Sequence, residues 1–229
     1  MQKKNLPPFK IRCSAIGQIM TNPRSKSESL SKTAMSYCEA WLKEQIYNRK
    51  REFTNKYVIK GLVVEDHSID IIARQLGYGM LFKNEQSFEN DYLTGTPDII
   101  TKDTVLDAKS SWDVFTFPLF ETEANSDYVW QGYGYMNLAG KTKYKVCYVL
   151  TDTPDHLIEK EMRSYAYNFG YEYDDLKYSE FLKRMTYQDI DEKDRIKVFS
   201  FEYDQKKIDQ VEQRVLECRE YVNYLINKL

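Results

Sequence analysis

The 229-residue sequence is short of the residues from which many small reactive sites are built. Its two histidines, His67 and His156, are too few for a histidine-rich metal site, and partners for a Ser-His-Asp triad are hard to find. Cys13, Cys38, Cys147 and Cys218 stand far apart with no CxxC pair, which argues against a zinc ribbon or an iron–sulfur cluster. They read as free, buried thiols of a reducing compartment. There is no Gly/Ser linker, repeat or low-complexity tract, and no GxxxxGK[ST] loop to cradle a nucleotide. No apolar run approaches the ~20 residues of a membrane span, so no membrane association is expected. The start, MQKKNLPPFK, carries no apolar stretch behind its lysines, so no signal peptide is expected either. Charge of one sign is also missing. Thirty-three Lys+Arg against 35 Asp+Glu give a net −2, which excludes coating nucleic acid by bulk charge but not a local basic patch.

What is present is a globular composition, 42% hydrophobic and 14% aromatic, able to fill one sizeable core. A single domain over 1–229 is expected. Residues 14–20 and 33–50 read as helices joined by a polar loop at 21–29. The spacing of Val58, Leu62, Ile69, Ile72 and Leu76 predicts one helix over 57–76, stopped by Gly77. Residues 80–88, 92–101 and 104–110 are β-rich, with Lys102-Asp103 as a hairpin turn between the last two. A helix over 126–139, a buried strand over 145–152, helices within 155–185, a strand over 195–204 and a long helix over 205–228 follow. The expected fold class is α/β (α+β), a central mixed sheet flanked by helices.

The chemistry concentrates in GTPDIITKDTVLDAKSSWD, residues 95–113. Asp98 follows Thr96-Pro97 on one strand, and Asp107 lies nine residues later on the next. Lys109 shares a face with Asp107, because strand side chains alternate. Ala108 points away, but its carbonyl remains available as a ligand. Two acids and a lysine among Val, Ile and Leu are expensive to bury unless they are paired or hold a cation; an edge-strand surface ion pair is the competing reading. With so few histidines and no thiol cluster, any metal site must use carboxylates, which favours hard ions such as Mg²⁺. Glu65 is placed mid-helix with Gly61 one turn before it, and that glycine suggests close packing against the helix; alone, Glu65 reads most often as a solvated helix residue. Gln131 and Tyr135 are four apart on one helical face, with Gly132 and Gly134 inside that turn. Either they belong to an aromatic core stripe or they aim at a phosphate or metal.

In this order, Gly61-x3-Glu65, Thr96-Pro97-Asp98, Asp107-Ala108-Lys109 and Gln131-x3-Tyr135 resemble the motifs of the PD-(D/E)XK nucleases. More narrowly they resemble the viral-recombinase branch that contains phage lambda exonuclease, with the glutamine motif of RecB-type nucleases. The similarity runs from about residue 10 to 152 and resumes weakly over 195–229. Arg12-Cys-Ser14 and Asn22-Pro23-Arg24-Ser25-Lys26 also look like that branch. The sequence departs from it in carrying Asp107 where many members carry Glu, and in the segment 155–193, which reads as an inserted helical pair.

The resemblance implies a restriction-endonuclease-like core and one or two Mg²⁺ ions, with Mn²⁺ as a possible substitute, held by Glu65, Asp98, Asp107 and the Ala108 carbonyl. Lys109 and Gln131 complete the implied catalytic set. Arg12, Ser14, Arg24, Ser25 and Tyr135 are the implied DNA contacts. The implied activity is exonucleolytic hydrolysis of DNA leaving 5′-phosphates, on linear duplex ends, in phage-type recombination or DNA processing. A single-strand annealing protein and a homo-oligomer are implied partners, and the cytoplasm of a bacterial or phage-infected cell the implied location. The alternatives are a structure- or site-specific endonuclease on the same fold and a non-catalytic DNA-binding recombination accessory protein. Charge is divided along the chain in keeping with a DNA enzyme: residues 1–60 carry a net +9, 61–152 a net −7 and 153–229 a net −4. The cluster Tyr165, Tyr167, Tyr171, Tyr173 and Tyr178 suits packing or oligomer contact better than base stacking.

Overall fold

The computed structural model describes residues 6–25, 27–51, 54–170 and 174–229. Strand β1 (Ile11–Arg12) leads through a 3-10 turn at Cys13–Ala15 into the short helix α1 (Ile16–Ile19). Helices α2 (Lys32–Tyr47), α3 (Lys56–Val63) and α4 (Glu65–Gln75) follow, then strands β2 (Phe88–Glu89), β3 (Leu93–Gly95), β4 (Ile99–Ile100) and β5 (Thr104–Ser110). Helix α5 (Ser126–Ala139) crosses to strand β6 (Lys143–Val149). Helices α6 (Asp155–Phe169) and α7 (Asp175–Met185), strand β7 (Ile196–Glu202) and helix α8 (Gln205–Lys228) complete the order. Side-chain oxygens of Ser31, Asn55, Asn125 and Asp204 accept backbone N–H groups at the starts of α2, α3, α5 and α8, satisfying donors that a helix leaves free.

The mixed sheet expected from the sequence is divided in two. Strands β4-β5-β6-β7 form the larger sheet, in which β5 and β6 are parallel and the outer pairs antiparallel. Strands β1-β3-β2 form a smaller one. The run expected as one strand over 92–101 therefore splits, with β3 in the small sheet and β4 in the large one. Pro97 lies between them and has no N–H to carry a ladder through. The Lys102-Asp103 turn joins β4 to β5 as expected, with the Thr101 N–H donating to the Thr104 carbonyl at 2.9 Å.

Strand β5 is buried on both faces. Val105 belongs to the main core with Tyr135, Tyr144, Val146 and residues of α2 and α8, whereas Leu106 packs with Ile69, Ile71 and Ile72 of α4. A third, smaller cluster of Trp112, Ile158 and Met185 seats the helical pair α6–α7. Within that pair Tyr165 stacks near Phe169 and Phe181, at 4.6 and 5.5 Å between ring centres, while Tyr167 is exposed. Tyr171 and Tyr173 lie outside the described residues.

The helix expected over 57–76 is two helices. The chain leaves helical geometry at Val64 (φ −103°, ψ 10°), so Glu65 opens α4 rather than sitting mid-helix. The expected apolar stripe breaks with it: Ile69 and Ile72 are buried, but Val58 and Leu62 are exposed and the residue that α3 buries is Lys60. A methyl group added at Gly61 would meet nothing within 4 Å, so the close packing expected there is absent.

Candidate active site

The β4–β5 ladder pairs Ile100 with Val105 and Ile99 with Leu106, so one step further Asp98 comes opposite Asp107. Their side chains meet on the face that looks toward α5, within hydrogen-bond reach of each other. Because β4 starts only at Ile99, the Ala108 N–H is left without a ladder partner, and it donates to Asp98 Oδ2 at 3.0 Å. Lys109 lies on the same face, as the alternation predicts, with Nζ 2.7 Å from Asp107 Oδ2 and 4.9 Å from the centre of the Tyr128 ring. Burial, and then the neighbouring Asp107 carboxylate, push Asp98 up to about 8. Burial works against the charge of Lys109, but Asp107 and Asp98 outweigh it and hold the ammonium above its ordinary value.

Asp107 is wholly buried and held from three sides. Besides Lys109, Gln131 Nε2 donates to Oδ1 at 3.2 Å and the Tyr144 hydroxyl donates to Oδ2 at 3.0 Å. Gln131 also donates to the Tyr135 hydroxyl at 3.1 Å, so the two α5 residues act as one unit behind the carboxylates. The glycines of α5 make this approach possible. A side chain at Gly132 would overlap the Tyr144 ring, and one at Gly134 would overlap Ile16 and Cys13. Tyr144 lies outside the sequence motifs that mark the other site residues. Its signal lies in the alternation of KYKVCYV, where Tyr144, Val146 and Tyr148 share a face, but only the parallel pairing of Asp107 with Val146 puts that face beside Asp107.

Glu65 stands apart from this cluster. Its carboxylate takes an ion pair from Lys83, and Lys83 in turn is held above its ordinary value first by that hydrogen bond, with Asp66 and Asp98 adding attraction. Lys83 reaches this place because its neighbour Asn84 is tied to the Asp98 segment: the Asn84 N–H donates to the Asp98 carbonyl at 2.7 Å and its amide to the Pro97 carbonyl at 2.9 Å. Helix α4 is clamped to β5 where the Ser68 and Ser110 hydroxyls lie 2.8 Å apart. Neither Lys83 nor the Ser68–Ser110 contact was legible without the tertiary structure.

As the side chains lie, no three His, Cys, Asp or Glu groups among the described residues form a ready metal cage. The donor set nevertheless suits a hard cation. Two facing carboxyls share one close lysine, both offer oxygen ligands of the kind Mg²⁺ takes, and a cation between them would relieve the repulsion that holds Asp98 up.

The residues expected to meet DNA are spread out. Arg12 and Ser14 are exposed on β1 and the following turn, and Arg12 is paired with Glu44 at 3.4 Å. Arg24 and Ser25 are exposed on the loop before α2, where the Ser25 hydroxyl lies 2.8 Å from that of Ser27. Tyr135 is only 5% exposed and lies behind Asp107 with Gln131, so in this arrangement it does not reach the surface. Lys26 lies outside the described residues.

This architecture bears out the resemblance to the PD-(D/E)XK nucleases: the fold is that of exonucleases in that superfamily. One solved structure similar to this chain, at 27% identity, is a phage-related exonuclease from Haemophilus somnus 129PT, matched over 97% of both chains with a TM-score of 0.81. An alkaline exonuclease from Laribacter hongkongensis shares the fold at 12% identity and TM-score 0.64, over 96% of this chain and 90% of that one. In complex with dAMP the Laribacter enzyme matches at 15% identity and TM-score 0.63, over 96% and 92%. No protein-family model and no curated protein matches the chain. No helix among the described residues is long and apolar enough to cross a membrane.

Proposed function

We propose that this chain is a DNA exonuclease that works with a divalent cation and leaves 5′-phosphates. The observation that carries the reading is the facing pair Asp98 and Asp107, with Lys109 beside them and Gln131 behind, on the fold of a phage-related exonuclease. Asp98, Asp107 and the Ala108 carbonyl would hold the ion, with Glu65 joining once it leaves Lys83. One or two Mg²⁺ ions, or Mn²⁺ in their place, would supply charge neutralisation at the scissile phosphate and a more acidic water. The chain's own residues do the positioning. Gln131 and Tyr144 fix both oxygens of Asp107, leaving its carboxylate little freedom to turn. Lys109, on the same face, orients the attacking water or stabilises the charge that builds at phosphorus. Linear duplex ends are the proposed substrate, with Arg12, Ser14, Arg24 and Ser25 as phosphate contacts.

Timed digestion of end-labelled linear duplexes, with Mg²⁺ and with EDTA, tests the reading. Label should be released only with the metal, and a covalently closed circle should stay intact; nicking of the circle would favour an endonuclease instead. Asp107→Asn should abolish release while the far-ultraviolet circular dichroism stays that of the wild type. A folded Asp107→Asn protein that degrades ends at the wild-type rate overturns the assignment.

A further inference from the structure

A second charged feature lies away from the carboxylates. An open cleft of about 530 Å³ runs between β1, the small sheet and the end of α2, floored by Trp41, which packs edge-on against Phe9 at 5.1 Å. Its rim carries Lys10, Arg12, Arg49 and Lys50 against two acids, Glu44 and Glu89. Both acids are already engaged: Glu89 by Lys10 at 3.3 Å, and Glu44 by Arg12 at 3.4 Å and by the Arg51 backbone N–H at 3.0 Å. Arg49, Lys50 and Arg51 are exposed, and none pairs with a carboxylate among the described residues. Helix α2 ends at the left-handed Asn48, and a helix C-terminus by itself favours a nearby cation. Three in succession, beside Lys10 and Arg12, go beyond that need.

The cleft is also within reach of the site. Arg12 pairs in register with Thr94, which lines the cleft, and Thr94 is four residues from Asp98. Four residues span at most about 14 Å, less than half of a duplex turn of about 34 Å. The cleft therefore lies within a few nucleotides' length of a phosphate held at Asp98.

We infer that this cleft grips the phosphate backbone of the duplex portion of DNA that is not being cut. The inference rests on the nuclease reading and extends the phosphate contact proposed for Arg12 to Lys10, Arg49, Lys50 and Arg51. Its ligand is recognised by charge alone, so binding there is independent of sequence and steeply dependent on salt.

The test uses the full chain carrying Arg49→Gln, Lys50→Gln and Arg51→Gln together, none of which touches the carboxylate cluster. Binding to a 30-base-pair duplex is measured in EDTA across a salt series, and hydrolysis of the same duplex at saturating concentration is measured with Mg²⁺. Each lost phosphate contact lowers the salt slope by about 0.9, so the triple variant should lose up to about 2.7. Turnover at saturation should match the wild type. An unchanged salt slope with intact turnover overturns the inference and leaves the nuclease reading standing. An unchanged slope with an altered sedimentation mass makes the cleft a contact between copies and also overturns it. Wild-type protein that binds the duplex steeply but never cleaves overturns the nuclease reading instead.

Discussion

Lys60 is wholly buried on α3, and its environment sets a measurable pH dependence of stability. The ammonium donates to the Trp112 carbonyl at 2.9 Å and lies 5.9 and 5.6 Å from the centres of the Trp112 and Tyr187 rings. No carboxylate among the described residues is within ion-pair distance of it. Burial therefore lowers its pKa from 10.5 to about 8, with Asp113 and Asp152 only partly offsetting the loss of hydration. Between those two values the unfolded chain holds a proton that the folded chain has released, so this group makes stability rise with pH. At 1.36 kcal/mol per pH unit the whole gain is about 3 kcal/mol, of which about 1.5 kcal/mol accrues between pH 8 and 9.5. Lys60→Met keeps the long side chain and removes the titration. Urea unfolding followed by circular dichroism at pH 7.5, 8, 9 and 9.5 should show wild type gaining about 1.5 kcal/mol relative to the variant across the last three points. The comparison must be a difference between the two proteins. Cys13 and Cys147, which burial raises to about 12, destabilise both equally as the unfolded thiols ionise. Stability curves that stay parallel within about 0.5 kcal/mol would refute the reasoning, since that is near the precision of the extrapolation.

Three further outcomes follow from the site. Gly132→Ala drives a methyl group into the Tyr144 ring and should cost about 1–3 kcal/mol in urea unfolding while slowing DNA degradation, because Tyr144 can no longer brace Asp107. Tyr144→Phe removes only the hydroxyl and should cost about 1–3 kcal/mol for the buried oxygen left short of a donor, read from the same unfolding curves. Lys83→Met frees Glu65 from an ion pair worth up to about 1 kcal/mol at a partly exposed site, so calorimetry should find Mn²⁺ bound about two- to fivefold more tightly.

The sequence made the hairpin, α5 and the terminal helix legible because each rests on local chemistry. Lys102-Asp103 supplies the turn, Asn125 and Gly140 bound α5, and Asp204 starts α8. Asp107 and Lys109 were placed on one face by alternation alone. What local chemistry could not supply was pairing between distant segments. The break at Val64 has no capping side chain and no Gly or Pro at the break itself, and the acidic pair Glu65-Asp66 in the first turn is a weak local mark of a helix start. Tyr144 needed the β5–β6 register, and Lys83 needed the hydrogen bonds that tie Asn84 to residues 97 and 98. Gly61 misled because a glycine in a helix suggests close approach, and here it faces open space.

The two-sided burial of β5 bears on how this protein can change over time. On one side of the strand Asp107 meets Gln131, Tyr144 and Lys109; on the other Leu106 meets the isoleucines of α4. Sliding the strand by one residue would put the acid among isoleucines and a leucine against the glutamine. Insertions or deletions in residues 101–103, which turn β4 into β5, are thus closed to drift. The chemistry is anchored by a strand that has no neutral side to turn to.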